Sequence, residues 1–278
     1  MLMKRRKAML PVALQLYSVR DEAERDLEKT LRAVHEMGYD GVETAGLYGK
    51  TAGELKALFE KYSLTPISAH VGLGEFEGDM EGLCAAYAEL GCKNLSIPHI
   101  DASCLPTRGG FAEFKKKLTE IAKELDKYGI TLSYHNHDFE FEKADGKYLL
   151  DLLYKEVDEK ILKTQIDVCW AAVGGVNPAD YLLSYSGRCP TVHLKDYRGV
   201  KGENMYAFID DEKKDAAGRD SEEFEFRPCG YGKQNFPEII SAAEKAGAKW
   251  LIVEQDRPSM GKTSLECAKM SIDYLKEI

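Results

Sequence analysis

The chain has 278 residues, 44% of them hydrophobic, and a formal net charge of -9. That length supports a full buried core and sits slightly above one eight-stranded α/β barrel, whereas the acidic balance works against a nucleic-acid partner, whose phosphates are met by Lys and Arg. No apolar stretch approaches the ~20 residues that span a bilayer, and seven dispersed cysteines without a Cys-x-x-Cys pair fit a reducing cytoplasm.

Lys4-Arg-Arg-Lys7 followed by Ala8–Leu14 has the outline of a signal peptide, but it contains Pro11, lacks a small-residue cleavage site and runs straight into Gln15-Leu-Tyr-Ser18. A first strand over Val12–Tyr17 is expected instead. From there short β-type runs alternate with longer amphipathic stretches, the pattern of repeated βα units. Further strands are expected at Gly41–Glu43, Pro66–His70, Asn94–Ile97, Ile130–His135, Thr164–Asp167, Thr191–Leu194 and Trp250–Glu254. Helical periodicity falls at about 26–37, 51–62, 78–90, 110–128, 147–156, 177–185, 235–246 and 263–277. Gly38, Gly91, Gly129 and Gly247 recur at the helix-to-strand joints, where a left-handed residue ends a helix. The expectation is a single (β/α)8 TIM barrel over 1–278. One connection, about 195–234, far exceeds the 2 to 6 residues usual for such a loop. Its charged middle, Asp210–Asp215 and Asp220–Glu223, reads as solvated, and its ends, Asp196–Arg198 and Arg227–Lys233, as able to close over a ligand or simply to cross the surface.

Four residues of metal-ligand type, His135, Asp167, His193 and Glu254, stand at the ends of the last four expected strands. Parallel barrel strands all finish on one face, so these distant positions converge. Two carboxylates and two imidazoles suit Mn²⁺, Zn²⁺, Co²⁺ or Fe²⁺ better than Mg²⁺ or Ca²⁺. Each has a bland alternative, a hydrogen-bonded structural His or a helix-capping Asp. His137, two past His135, is read as a substrate contact. Lys195, two past His193, faces a developing negative charge or pairs with Asp196 on the surface. Gln15, Tyr17, Glu43, His70 and His99 end the earlier strands and offer polar groups to a polyol, while Trp170 is either an apolar wall against a sugar or a core residue. Gly72-Leu-Gly-Glu-Phe-Glu-Gly78 lacks the spacing of a phosphate loop, and no nucleophile elbow or dinucleotide fingerprint is present.

The segments Tyr134-His-Asn-His-Asp-Phe-Glu-Phe141, Gln165-Ile-Asp-Val-Cys-Trp170, Gly187-Arg-Cys-Pro-Thr-Val-His-Leu-Lys-Asp196 and Val253-Glu-Gln-Asp256, with the opening Leu14–Arg20, resemble the xylose-isomerase-like barrel superfamily of sugar isomerases and epimerases over almost the whole chain. The resemblance implies one divalent cation, commonly manganese, held at the ends of strands five to eight. In the family's ketose epimerases the ligands are Glu, Asp, His and Glu, and the two glutamates move protons on opposite faces of an enediolate. Asp167, His193 and Glu254 match the last three positions. His135 occupies the first, a departure that bears against the symmetric two-glutamate reaction and resembles the family's inosose dehydratases.

The expected function is a cytoplasmic, divalent-metal-dependent isomerase or epimerase of a sugar or keto-sugar, with Glu254 as base and His135 or Lys195 returning the proton. The alternative is a dehydratase or lyase on an inosose-like keto-polyol or 3-keto-glycoside. A DNA-repair endonuclease with three zinc ions is disfavoured by the acidic charge and by six histidines in all; a barrel that binds sugar without turning it over is a third class. The expected partner is a small-molecule sugar, with neither nucleic acid nor membrane, in a chain that could form a homo-oligomer.

Overall fold

A computed structural model describes residues 10–202 and 224–278. Its centre is a closed, all-parallel barrel whose eight strands follow one another around the ring in chain order. They are β1 Val12–Gln15, β2 Gly41–Ala45, β3 Thr65–His70, β4 Asn94–Ile97, β5 Thr131–His135, β6 Lys163–Asp167, β7 Thr191–Leu194 and β8 Trp250–Val253. Val12 pairs with Leu251 and closes the ring. The expected strands are all present within two residues; β1 stops at Gln15 because the Gln15 side chain caps a 3-10 turn, Leu16–Val19.

Alternation along the strands separates two environments. Val12, Leu14, Val42, Leu95, Ile97, Leu132, Ile166, Val192, Leu194, Leu251 and Val253 join the main core with helix residues such as Leu31, Val34, Leu55, Phe59, Leu118 and Ile121. The intervening residues, among them Gln15, Glu43, Ser68, Asn94, Ser96, Ser133, Gln165 and Thr191, are polar and buried. They fill the barrel itself. Gln165 on β6 donates through Nε2 to Glu43 Oε2 on β2 at 2.7 Å, a bond that crosses the lumen because these strands are not neighbours. Ala13, Ile67 and Ile252 form a small apolar plug with Trp250 toward the strand starts. A polar lumen is stable only if its groups find partners, so the apolar plug below and the helix layer outside carry the hydrophobic burial.

The glycines at the helix-to-strand joints adopt positive φ as expected: Gly38 at 89°, Gly91 at 103°, Gly129 at 66° and Gly247 at 89°. Two short helices escaped the periodicity, Arg20–Arg25 and Val168–Val173. Six residues show too little of a 3.6-residue repeat, and the second begins at once because Asp167 caps the Trp170 N–H at 2.9 Å. No described helix is long and apolar enough to cross a membrane.

The expectations for Asp210–Asp215 and Asp220–Glu223 lie outside the described residues. The ends of that connection pair with each other, Asp196–Arg198 running antiparallel to Glu225–Arg227. Asp196, fully buried, accepts backbone N–H bonds from Tyr197 (2.8 Å), Gly230 (3.0 Å), Gly232 (2.8 Å) and Gln234 (3.1 Å). A Cβ at Gly232 would lie 2.3 Å from Asp196 Oδ1 and 2.4 Å from the Tyr197 carbonyl, so only glycine allows this approach. Asp196→Ala leaves these donors without their acceptor and is expected to cost about 3 kcal/mol, measured as a lower urea midpoint at unchanged slope.

Candidate metal centre and its pocket

β5, β6, β7 and the residue after β8 deliver His135, Asp167, His193 and Glu254 to one point. One ligand atom from each lies within 4.8 Å of the others, and all four residues are buried. Asp167 is the register partner of His193, whereas His135 pairs with Gln165, two residues below Asp167. His135 Nε2 is 3.8 Å from Asp167 Oδ2 and 4.0 Å from Glu254 Oε2, and His193 Nδ1 is 2.9 Å from Glu254 Oε2. Asp167 Oδ2 is buried without a hydrogen bond. A carboxylate oxygen without a hydrogen bond, its nearest cation Lys195 Nζ at 3.4 Å, facing a mixed imidazole and carboxylate set fits a divalent ion.

The charges around this point are tightly opposed. Burial drives the His135 ring well below the usual histidine range and keeps it neutral, as a ligand must be. Burial also raises Asp167 to about 6. Desolvation works against charge on Glu254, but Lys195 and His193 outweigh it and hold that carboxyl well below its ordinary value. For His193 the desolvation cost is overcome by Glu43 and Glu254, which raise its pKa to about 10. Its Nε2 meets Glu43 Oε1 at 2.7 Å and its Nδ1 meets Glu254 Oε2 at 2.9 Å, so an ion in the cage would have to displace the Nδ1 proton before that nitrogen could ligate. Glu43 is itself gripped by Gln15 Nε2 at 2.7 Å, Ser68 Oγ at 2.5 Å and Gln165 Nε2 at 2.7 Å. Desolvation notwithstanding, the neighbouring His70 and His193 rings hold its carboxyl at about 2. A carboxylate behind a metal-ligating histidine fixes ring orientation and raises basicity.

Above the cage opens a cavity of about 650 Å³, lined among others by Tyr17, His70, Glu75, His99, His135, His137, Lys195, Glu254 and Asp256. Lys195 is no surface residue. It is 1% exposed, and its ammonium lies 2.9 Å from Glu254, 3.0 Å from Asp256 and 3.4 Å from Asp167. Despite the desolvation cost, these carboxylates raise its pKa well above the ordinary lysine value.

Placement of the remaining expected residues divides them. Tyr17, His70, His99 and His137 line the cavity. Gln15 and Glu43, expected at the rim, are instead fully buried and bonded to each other beneath the cage, because β1 and β2 pair Gln15 with Glu43 one layer down. Trp170 takes its core alternative: it is fully buried, with ring centroids 6.1 Å from Phe224 and 5.8 Å from Phe226. Lys195 does not pair with Asp196, which is occupied by backbone donors. None of Arg227–Lys233 lines the cavity. Sequence reasoning missed Glu75 and Gln165 and gave Asp256 no definite place. Asp256 directly follows the matched Glu254-Gln255 pair, a local signal; Gln165 and Glu75 carry none that spacing would expose.

Three outcomes follow from this geometry. One divalent ion per chain is expected by elemental analysis, and Asp167→Asn is expected to lower metal affinity by at least about 100-fold in a chelator competition, the upper end for loss of a supporting group and the minimum for a ligand. Glu43→Gln should weaken the same affinity by about 10- to 100-fold without touching the ion. The third concerns Glu140, buried beside the cage: burial, opposed by the Tyr134 hydroxyl at 2.5 Å and the His137 N–H at 2.9 Å, raises its pKa to about 8 from 4.5. The native state keeps a proton that the unfolded chain releases above pH 4.5, so stability falls as pH rises from there to about 8 and then levels. Glu140→Gln should flatten that part of the profile in urea titrations across pH.

Known proteins bear on this architecture. A model of the xylose isomerase-like TIM barrel family matches residues 31–278. The rhizopine catabolism protein MocC of Rhizobium meliloti is 25% identical over 273 residues, 90% of this chain and 80% of that protein. An inosose dehydratase of Mesomycoplasma hyopneumoniae is 26% identical over 277 residues, 89% of this chain and 88% of that one. A crystal structure of a sugar phosphate isomerase/epimerase from Parabacteroides distasonis superposes with a TM-score of 0.75 at 24% identity, covering 97% of this chain and 98% of the other, a likeness of fold. With a closed parallel barrel and a family match over most of its length, this chain belongs to the xylose isomerase-like TIM barrel family.

Proposed function

We propose that the chain is a divalent-metal-dependent dehydratase of a keto-sugar or keto-polyol, removing a proton beside the carbonyl and releasing a β-hydroxyl as water. The observation that carries this reading is the pairing of Glu254 with Lys195 at 2.9 Å on the cavity wall. A carboxylate and an ammonium side by side supply a base and an acid to the same face of a bound ring, the arrangement a syn elimination of water uses. The inosose dehydratase relative supports the same reaction class.

His135, Asp167, His193 and Glu254 would hold the ion, for which manganese is proposed ahead of zinc, cobalt or iron. When bound, the ion supplies Lewis acidity that lowers the cost of negative charge on the carbonyl oxygen. Glu254, kept ionised by Lys195 and His193, takes the carbon-bound proton. The electron pair left on carbon forms the new C=C bond as the β C–O bond breaks, and Lys195 gives its proton to the departing oxygen. Asp256, 3.0 Å from Nζ, fixes the ammonium for that transfer. Tyr17, His70 and His137 face the cavity and orient hydroxyls.

Isomerisation or epimerisation is the second reading. It is supported by the His135 ring, whose Nε2 faces the cage 4.0 Å from Glu254 while its buried Nδ1, without a hydrogen bond, offers a second proton carrier. Incubation of manganese-loaded protein with inososes, 3-keto-glycosides and simple ketoses in deuterated water separates the two. A conjugated diketone with loss of water, or an enone with loss of the aglycone alcohol from a 3-keto-glycoside, supports elimination; deuterium beside the carbonyl with the hydroxyl retained supports isomerisation; neither product nor exchange with any substrate refutes both. Lys195→Met is expected to keep exchange while slowing water loss by about 100-fold, the lower end for a general acid. Glu254→Gln should abolish both.

A further inference from the structure

Positive charge is scarce among the described residues of the cavity. Among the described residues lining it, Lys195 is the one Lys or Arg, and its ammonium is already shared among Asp256, Glu254 and Asp167. Arg20, beside Tyr17, lies 4.0 Å over that ring and donates to the backbone carbonyls of Tyr17 and Asp256. His99 is kept neutral by burial. Glu254 and Asp256 on the lining and Glu43 and Asp167 below it are buried carboxylates, facing Lys195, the His193 ring and, in the loaded protein, a divalent ion. Among the described side chains on the lining itself negative charge exceeds positive, Glu254 and Asp256 against Lys195.

Glu75 adds to it at the wall. Its carboxylate accepts the Gly72 N–H at 2.7 Å, so a backbone donor in this glycine-rich turn is taken by the chain's own anion. A phosphate ester is recognised by Arg, Lys or free backbone N–H groups, and would meet here a fixed like charge. Neutral hydroxyls suffer no such penalty and find carboxylate acceptors and imidazole nitrogens.

We propose that this pocket takes an uncharged keto-sugar or keto-polyol, and that Glu75 is the residue that turns away phosphorylated and other anionic analogues. The proposal rests on the keto-sugar reading above and names the substrate class of that same site.

The test is calorimetric titration of the manganese-loaded full chain with D-fructose, D-fructose 6-phosphate and inorganic phosphate, in wild type and Glu75→Lys. Wild type is expected to bind the free ketose at least about tenfold more tightly than its ester and to show no saturable binding of millimolar phosphate; Glu75→Lys should improve ester and phosphate binding by at least about tenfold, as reversal of one nearby charge implies. Manganese affinity within about twofold of wild type certifies that the variant's cage is intact, ligand binding alone having changed. An ester bound as tightly as the ketose, submillimolar phosphate binding by wild type, or anion affinity unmoved by Glu75→Lys overturns the proposal. If neither sugar binds while Glu75→Lys alone gains phosphate, the anion-rejecting role of Glu75 stands and the keto-sugar reading fails.

Discussion

The carboxylate of Glu43 at the barrel axis is the constraint on which the site depends. Side chains from β1, β3, β6 and β7 donate to its two oxygens, so the strands on opposite sides of the lumen are tied through one anion. A buried carboxylate is expensive unless every lone pair is engaged. Here the cost is offset by Gln15, Ser68, Gln165 and His193, and the return is a His193 ring with a fixed face toward the cage. The same amide of Gln165 also reaches Thr191 Oγ1, while its oxygen meets His70 Nε2 at 2.9 Å. Orientation of the cage is thus set one layer below it.

This lumen explains why the barrel can hold so many ionisable groups. The apolar alternation faces the helices, and the helices, together with the plug of Ala13, Ile67 and Ile252, supply the burial that stabilises the fold. The interior is left for chemistry, with desolvation strengthening every interaction among Glu254, Lys195, Asp256 and Asp167. Lys195 sits at the point of greatest tension. It is a fully enclosed ammonium held by three carboxylates, a situation in which removing either sign leaves the other unpaired.

The wall of the cavity is built by different means. Several of its residues come from connections after the strands, and local backbone bonds hold these turns: Glu75 on Gly72, and Glu140 under the segment of His137. The four cage residues are therefore placed by the sheet, and much of the cavity wall by turns mounted upon it, the usual division in this architecture.

Alternating short β-type runs and amphipathic helices, with glycine at several joints, were enough to determine the barrel and the ends of its strands, because both signals are local. The same strand ends singled out His135, Asp167, His193 and Glu254, since all parallel strands finish on one face. Only tertiary structure decided depth. Gln15 and Glu43 carry the same spacing as residues that reach the cavity, yet the stagger of neighbouring strands sinks them beneath it. Trp170 became core through Phe224 and Phe226, more than fifty residues away, and Lys195 became a buried ion through Asp256. These partners are set by closure of the ring, whose register is a property of all eight strands together, so no window of sequence contains it.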